Sequence, residues 1–396
     1  MEKSYQYYNQ LFKGLELPLA FLDLDLLNKN IAEIAKRANH GTIRIASKSI
    51  RCRYVLKHIL ESNPIFKGIM TFMPNEAIWL LENGFDDLLM GYPTVNKNAL
   101  DAFCKATKNG KKIIPMVDSI EHLEIIQSIA VKHKIIQPIC IDIDMSSDFP
   151  GIHFGVYRSP INDLSKFKHL VDQLKDYPNL HLEGIMGYEA QIAGIGTNDP
   201  YMGIKNYAVK VMRNLSIIEL AKRRKECIEY ARKKGYTLPL INGGGTGSME
   251  STLAENYITE VTVGSGFYSP SLFDYYENFK HQPAVGFACE IIRKPKKNMF
   301  TVMGGGYIAS GGIGLSKQPT PFLPKGFSLI QNEGCGEVQT PITYNGKEKL
   351  SIGDTILFRH AKAGELCERF NTLHIVSDGK IVETTPTFRG EGKCFV

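Results

Sequence analysis

Eight short apolar runs separated by helix-like stretches constrain this chain more than any other feature. They are IRIAS (43–47), GIMTF (68–72), DLLMG (87–91), KIIPMV (112–117), ICIDID (139–144), LEGIMGY (182–188), LPLINGG (238–244) and EVTVGSG (260–266). Helix-like segments at 51–62, 74–83, 95–109, 119–133, 161–176 and 203–234 lie between them. Strands that alternate with helices run parallel, because each crossover returns the chain to the same end of the sheet. Eight such units in roughly 225 residues match the size of a TIM barrel, so the sequence predicts an α/β fold built on a (β/α)8 barrel.

Two regions fall outside that count. The run PLAFLDLDLL (18–27) precedes the first barrel strand, and from about residue 283 the texture turns to Gly-rich, strand-like pieces such as AVGFACEII, MFTVMGGG and LHIVSDG. No amphipathic helix of clear length interrupts those pieces, which predicts a C-terminal all-β domain. The expected division is 1–27, a segment packing with the β domain; 28–280, the barrel; and 281–396, the β domain itself.

Composition excludes several classes. The net charge of +6 is dispersed, and the basic clusters Arg293-Lys294-Pro295-Lys296-Lys297 and Lys222-Arg223-Arg224-Lys225 are short and isolated, so no nucleic-acid footprint is expected. Eight cysteines occur without any C-x-x-C pair, which suits a reducing cytoplasm rather than a zinc ribbon or a disulfide scaffold. No window approaches eighteen uninterrupted apolar residues and the N-terminus lacks a basic-then-apolar leader, so neither membrane insertion nor secretion is expected.

In a TIM barrel the chemistry gathers at the carboxyl ends of the strands. The first run ends in Lys48, placed to act as a Schiff-base nucleophile. The seventh ends in Asn242-Gly243-Gly244-Gly245-Thr246-Gly247-Ser248, where Gly244 and Gly245 let backbone N–H groups approach an anion and Thr246 and Ser248 add hydroxyls. The eighth ends in Gly264-Ser265-Gly266. Two glycine-plus-hydroxyl loops on neighbouring strands, opposite a lysine at the first, are what pyridoxal 5'-phosphate needs: a covalent anchor for its aldehyde and a nest for its phosphate.

Taken in order, P18-LAFLDLDLLNKNI, R44-IASKS, LEGIMGYEAQ with Tyr188, GGGTGS, and VGSG before Phe267-Tyr268 resemble the alanine-racemase-like, fold-type III pyridoxal-phosphate enzymes, and among them the D-threonine aldolase and D-serine dehydratase group. The resemblance spans nearly the whole chain. It implies that Lys48 is the Schiff-base lysine, that Thr246, Gly264, Ser265 and Gly266 surround the phosphate, and that Tyr188 and Gln191 line the ring pocket. It further implies a homodimer in which the β domain completes a neighbouring subunit's site.

Two departures stand out. Where the group places an arginine against the ring hydroxyl, two residues before a Gly-Val, this chain has His153, with Arg158 nearby but off-register. Where the group carries a metal pair, His-x-Cys or His-x-Asp, this chain reads His360-Ala361-Lys362, and an ammonium cannot ligate zinc. No metal is therefore expected, with Cys367 and Glu365 as weaker substitute ligands. Asp142 and Asp144 share one face of the fifth strand, as a functional or a salt-bridged pair.

The expected activity is that of an amino-acid lyase, deaminase or aldolase on a small D- or β-hydroxy amino acid, with Lys48, His360 and Lys362 as candidate catalytic residues. A racemase is the close alternative, its second acid/base coming from Lys362, His360 or a C-terminal tyrosine of a partner. Further alternatives are a Schiff-base lyase on a phosphorylated sugar and a non-catalytic pyridoxal-phosphate carrier.

Overall fold

The structure is a computed structural model that describes residues 3–312 and 314–396. Met1, Glu2 and Ile313, which fall within the first and third expected segments, lie outside the described residues.

All eight apolar runs form strands of one closed parallel barrel. In chain order, with β1 reserved for the leading strand Leu19–Asp23, these are β2 (Thr42–Ala46), β3 (Phe66–Thr71), β4 (Leu88–Pro93), β5 (Ile113–Val117) and β6 (Gln137–Asp142). A small hairpin of β7 (Ser147–Phe149) and β8 (Ile152–Phe154) follows, and β9 (Leu180–Gly187), β10 (Leu240–Gly243) and β11 (Glu260–Val263) finish the barrel. Closure pairs β11 with β2, Val261 opposite Ile43 and Val263 opposite Ile45. Helices Arg53–Ser62, Pro74–Glu82, Lys97–Lys108, Ile120–His133, Leu164–Gln173 and Lys205–Lys233 occupy the predicted segments.

The barrel interior is not purely apolar. Arg44, 1% exposed in the middle of β2, donates through Nε to Glu260 Oε1 at 2.7 Å and through Nη2 to Glu260 Oε2 at 3.0 Å. Its Nη1 reaches the Asp87 carbonyl at 2.6 Å, and Asn242 Nδ2 donates to Glu260 at 2.7 Å. A charge so deep is tolerated because every partner in this set is satisfied by another.

After β11 follow just the short helix Ser265–Tyr268 and the 3-10 stretch Ser271–Tyr275 before the next strand. The helix Leu24–Arg37, from before the barrel, packs there instead: Asn30 Nδ2 donates to the Phe267 and Gln282 carbonyls at 2.9 and 2.7 Å. Asp23 caps that helix by accepting from the Leu26 N–H at 3.0 Å. The sequence boundary at 27/28 thus falls inside a helix.

The second sheet has nine strands. It contains β1 and, in order, β12 (Val285–Lys296), β13 (Met299–Met303), β14 (Thr320–Leu323), β15 (Phe327–Leu329), β16 (Gln339–Tyr344), β17 (Thr355–Arg359), β18 (Thr372–Ser377) and β19 (Lys380–Pro386). As the leftover apolar run suggested, β1 joins this sheet, antiparallel to β12 with Leu19 opposite Ala288 and parallel to β18 with Phe21 opposite His374. The chain therefore enters through the β domain before it builds the barrel.

Candidate active site

At the carboxyl ends of β2, β10 and β11 a cavity of about 520 Å³ opens, a size ordinary for a small-ligand site. Lys48 lies in the single turn Ser47–Ser49 directly after β2 and reaches this cavity, its Nζ 5.9 Å from the centre of the Tyr92 ring. The turn is pinned from below, because the buried Ser47 hydroxyl donates to the Met70 carbonyl at 3.0 Å. Arg51 Nε holds the Lys48 carbonyl at 3.0 Å. From above, Gly364 presses on the same carbonyl so closely that a Cβ there would lie 2.1 Å from it.

The two glycine loops line the same cavity through Gly244, Gly245, Thr246, Gly264 and Ser265. The lysine is beside the second loop rather than across from it, because barrel closure makes β11 the neighbour of β2. Ser49 Oγ and Ser265 Oγ are 3.3 Å apart. Not every N–H of the loops is free for an anion. Gly244 N–H donates to Glu189 Oε2 at 3.1 Å, Gly245 N–H to Ser248 Oγ at 3.0 Å and Gly266 N–H to Thr246 Oγ1 at 3.1 Å. Among the described residues, the N–H groups of Thr246, Gly247 and Ser265 have no such internal partner.

Glycine is required at these turns. Gly244 has φ +69°, and a Cβ on Gly264 or Gly266 would stand 2.7 Å from Ser49 Cβ or 2.6 Å from Thr246 Cγ2. Behind the first loop, Glu189 is buried and bonded to Arg224 Nη2 at 3.0 Å, and Arg224 also donates to the Gly187 carbonyl at 3.0 Å. This pair fixes the loop from inside the protein. Glu189 stands in the LEGIMGYEAQ segment and Arg224 in the Lys222–Lys225 basic cluster, but nothing local in the sequence marks the two as partners.

Tyr188, at the end of β9, and Arg158 form another wall. Burial pushes the Tyr188 phenol up to about 12. The Arg158 guanidinium lies 5.6 Å from the centre of the Tyr92 ring and 5.8 Å from that of Tyr188. Four sequence-predicted residues are not on the wall: His153, Gln191, Gly266 and His360. His153 sits on the β7–β8 hairpin, its Nδ1 2.8 Å from Asp148 Oδ1 and its ring stacked 3.9 Å from Tyr157. Gln191 turns its Nε2 to the Met145 carbonyl at 2.5 Å. The hairpin explains the shift: its turn at Pro150-Gly151, with Gly151 at φ +72°, puts His153 on the returning strand β8, and Arg158 beyond it reaches the cavity instead. Gly266 lies just behind the wall, holding Thr246 in place.

The β domain contributes Lys362 and Glu365 to the cavity. Burial lowers the Lys362 ammonium's pKa; Glu365 opposes that shift, while the charges of Lys317, Lys48 and Arg158 reinforce it. His360, 2% exposed, is off the wall and edge-on to Tyr268 at 6.4 Å; burial, with Arg359 beside it, holds its pKa down to about 3. Cys367 is a buried thiol pushed upward by burial. Asp142 and Asp144 do not line the cavity: Asp144 accepts from the Ser146 N–H at 2.8 Å, and burial pushes Asp142 up, with Asp118 adding to the shift and Arg158 opposing it. Among the described residues, no three His, Cys, Asp or Glu side chains gather to hold a metal ion.

An amine at a barrel rim, anion donors from the two adjoining strand ends and an aromatic wall crossed by a guanidinium define a site for a small phosphorylated aldehyde. The residues fit pyridoxal phosphate. Thr246 and Ser265 would take its phosphate, Lys48 its aldehyde carbon, and Arg158 its ring oxygen.

Residues 22–271 match the family model described as alanine racemase, N-terminal domain, and the chain belongs to that family. It is similar to the 3-hydroxy-D-aspartate aldolase of Paracoccus denitrificans (strain Pd 1222), with 21% identity over 252 residues, 63% of this chain and 60% of that protein. It is also similar to a D-threonine aldolase of Arthrobacter sp, with 20% identity over 253 residues and the same coverages. The aligned region thus spans about three-fifths of the length of these curated relatives. Among solved structures, the D-threonine aldolase from Filomicrobium marinum superposes with a TM-score of 0.76 at 15% identity, covering 94% of both chains. The D-threo-3-hydroxyaspartate dehydratase from Delftia sp. HT23 superposes with 0.73 at 18% identity, covering 95% of this chain and 98% of that one. These superpositions show that barrel and β domain together form an arrangement shared with those enzymes.

Proposed function

We propose that this chain is a pyridoxal-phosphate-dependent lyase that acts on a β-hydroxy amino acid of D configuration. One observation carries the reading: Lys48, Thr246 and Ser265 line a single cavity, and the backbone N–H groups of the latter two are unengaged. When bound, the cofactor supplies an electron sink for the pair left on the substrate Cα. The chain's own residues do the rest. Lys48 anchors the cofactor and, once freed by substrate, moves a proton at Cα. Arg158 keeps a positive charge at the ring oxygen, and Tyr92 and Tyr188 hold the ring plane and exclude water. The relatives named for aldol cleavage and dehydration of D-hydroxy amino acids support the substrate class.

The homodimer belongs to the same reading. It is supported by the exposed apolar side chains at the start and along the helix Lys205–Lys233, Ile204 at 91%, Tyr207 at 75% and Ile218 at 72%, which a second subunit would cover. A cytoplasmic setting is supported by the eight cysteines, all unpaired and seven of them buried. Among the described residues, no helix is long and apolar enough to cross a membrane. We also keep the division into a barrel and a β domain, with β1 assigned to the latter.

Product analysis tests the activity. Incubation with D-threonine, D-serine and 3-hydroxy-D-aspartate is expected to release glycine plus an aldehyde, or a keto acid plus ammonia. Interconversion of enantiomers without either product would overturn the lyase assignment in favour of a racemase.

A further inference from the structure

The resemblance to D-threonine aldolases and D-serine dehydratases implies a metal beside the substrate hydroxyl, and the residues of this chain do not fit one. His360 lies off the cavity wall, Lys362 has no lone pair to offer as an ammonium, and no cluster of three ligating side chains exists among the described residues. We infer that Lys362 and Glu365 handle the β-hydroxyl of the substrate in place of a metal. This rests on the lyase reading above.

The pair is placed with care. Glu365 lines the cavity; its Oε1 accepts from the Ser310 N–H at 2.9 Å, while its Oε2 is buried without any hydrogen-bond partner. A desolvated carboxylate oxygen with nothing to accept is costly unless something else brings it a proton donor. The substrate hydroxyl is such a donor. Lys362 lines the same space, and the Glu365 carboxylate opposes the lowering of its pKa by burial. The loop bearing both residues is locked to Lys48 by two contacts: Gly364 against the Lys48 carbonyl, and Arg51, which bonds that carbonyl at 3.0 Å and Glu368 at 2.6 Å. Amine and carboxylate are therefore held at a fixed offset from the anchoring lysine.

In the cleavage direction, Glu365 takes the proton from the β-hydroxyl as the Cα–Cβ bond breaks. The oxygen's electron pair forms the aldehyde C=O, and the pair of the broken bond stays with Cα. Lys362 stabilises the negative charge that builds on the oxygen during the transfer. No oxidant and no metal enters the balance.

The test uses the holoenzyme with D-threonine. Glu365→Gln and Lys362→Met are each expected to lower kcat about 100-fold, the scale of a lost proton-transfer group for the first and of a lost charge-stabilising donor for the second. Lys362→Arg should recover part of the loss. The visible cofactor band, and its perturbation by D-alanine, which has no β-hydroxyl, should stay as in wild type. Elemental analysis should find less than one divalent metal per chain, and dialysis against EDTA should leave the rate unchanged. Stoichiometric metal whose removal abolishes turnover, or wild-type rates in both variants, would overturn the inference. A wild-type protein without a cofactor band would instead overturn the reading on which it rests.

Discussion

Ser49 and Ser265 bring their hydroxyls to 3.3 Å of each other across the seam where the barrel closes. One follows Lys48, the proposed anchor, and the other lies in the second glycine loop, so the seam joins the proposed covalent and anionic ends of the site. Both should serve the phosphate. Ser265→Ala and Ser49→Ala are each expected to weaken pyridoxal phosphate binding about 10-fold or more, the worth of a hydrogen bond to a charged group. Titration of the cofactor-free protein, followed by the visible band, measures this directly.

Arg44 carries a different load. Truncating it leaves the Glu260 carboxylate buried with only Asn242 for company. Arg44→Ala should cost about 3–5 kcal/mol of stability, as breaking one side of a buried pair does. Urea unfolding monitored by circular dichroism would show it, and a loss below 1 kcal/mol would mean that the barrel interior relaxes around the missing charge.

Gly364 has φ +97° and no room for a methyl group against the Lys48 carbonyl. Gly364→Ala should therefore push the Lys362 loop off the lysine turn, lowering turnover more than cofactor affinity. Comparing kcat with the cofactor dissociation constant separates the two effects; equal losses in both would contradict the proposed division of labour.

His281 gives the fold a dependence on acid. Its Nδ1 lies 3.0 Å from the Gly266 carbonyl and its Nε2 3.3 Å from Arg37 Nη1, a setting suited to the neutral ring. Burial, with the Arg37 charge, holds its pKa down to about 4 from the usual 6.5. Below about pH 6.5 the unfolded chain takes up a proton that the folded chain refuses until about pH 4, so this contribution is present at neutral pH and fades as pH falls through that window. His281→Gln should flatten the loss of melting temperature between pH 7 and pH 4.5. An unchanged slope would assign the acid sensitivity elsewhere.

The barrel was legible because each strand is an apolar run closed by a glycine or a polar turn, and that periodicity is local. Lys48, Thr246 and Ser265 were legible for the same reason, each standing at a strand end. What local pattern could not show was pairing at a distance. Arg44 and Glu260 are 216 residues apart in the chain, and nothing near Arg44 distinguishes it from an ordinary interruption of a strand. Arg158 was misplaced because the β7–β8 hairpin inserts a turn that breaks the register argument leading to His153. Glu189 and Gly364 matter only through what the folded chain brings against them, the Gly244 N–H and the Lys48 carbonyl.

The most direct test is reduction of the purified protein with borohydride followed by peptide mass spectrometry, with Lys48→Ala alongside. The account predicts a visible band that borohydride bleaches, a pyridoxyl group attached to Lys48, and neither feature in the variant. A protein that stays colourless after added pyridoxal phosphate, or a label on another lysine, would contradict the assignment of this cavity.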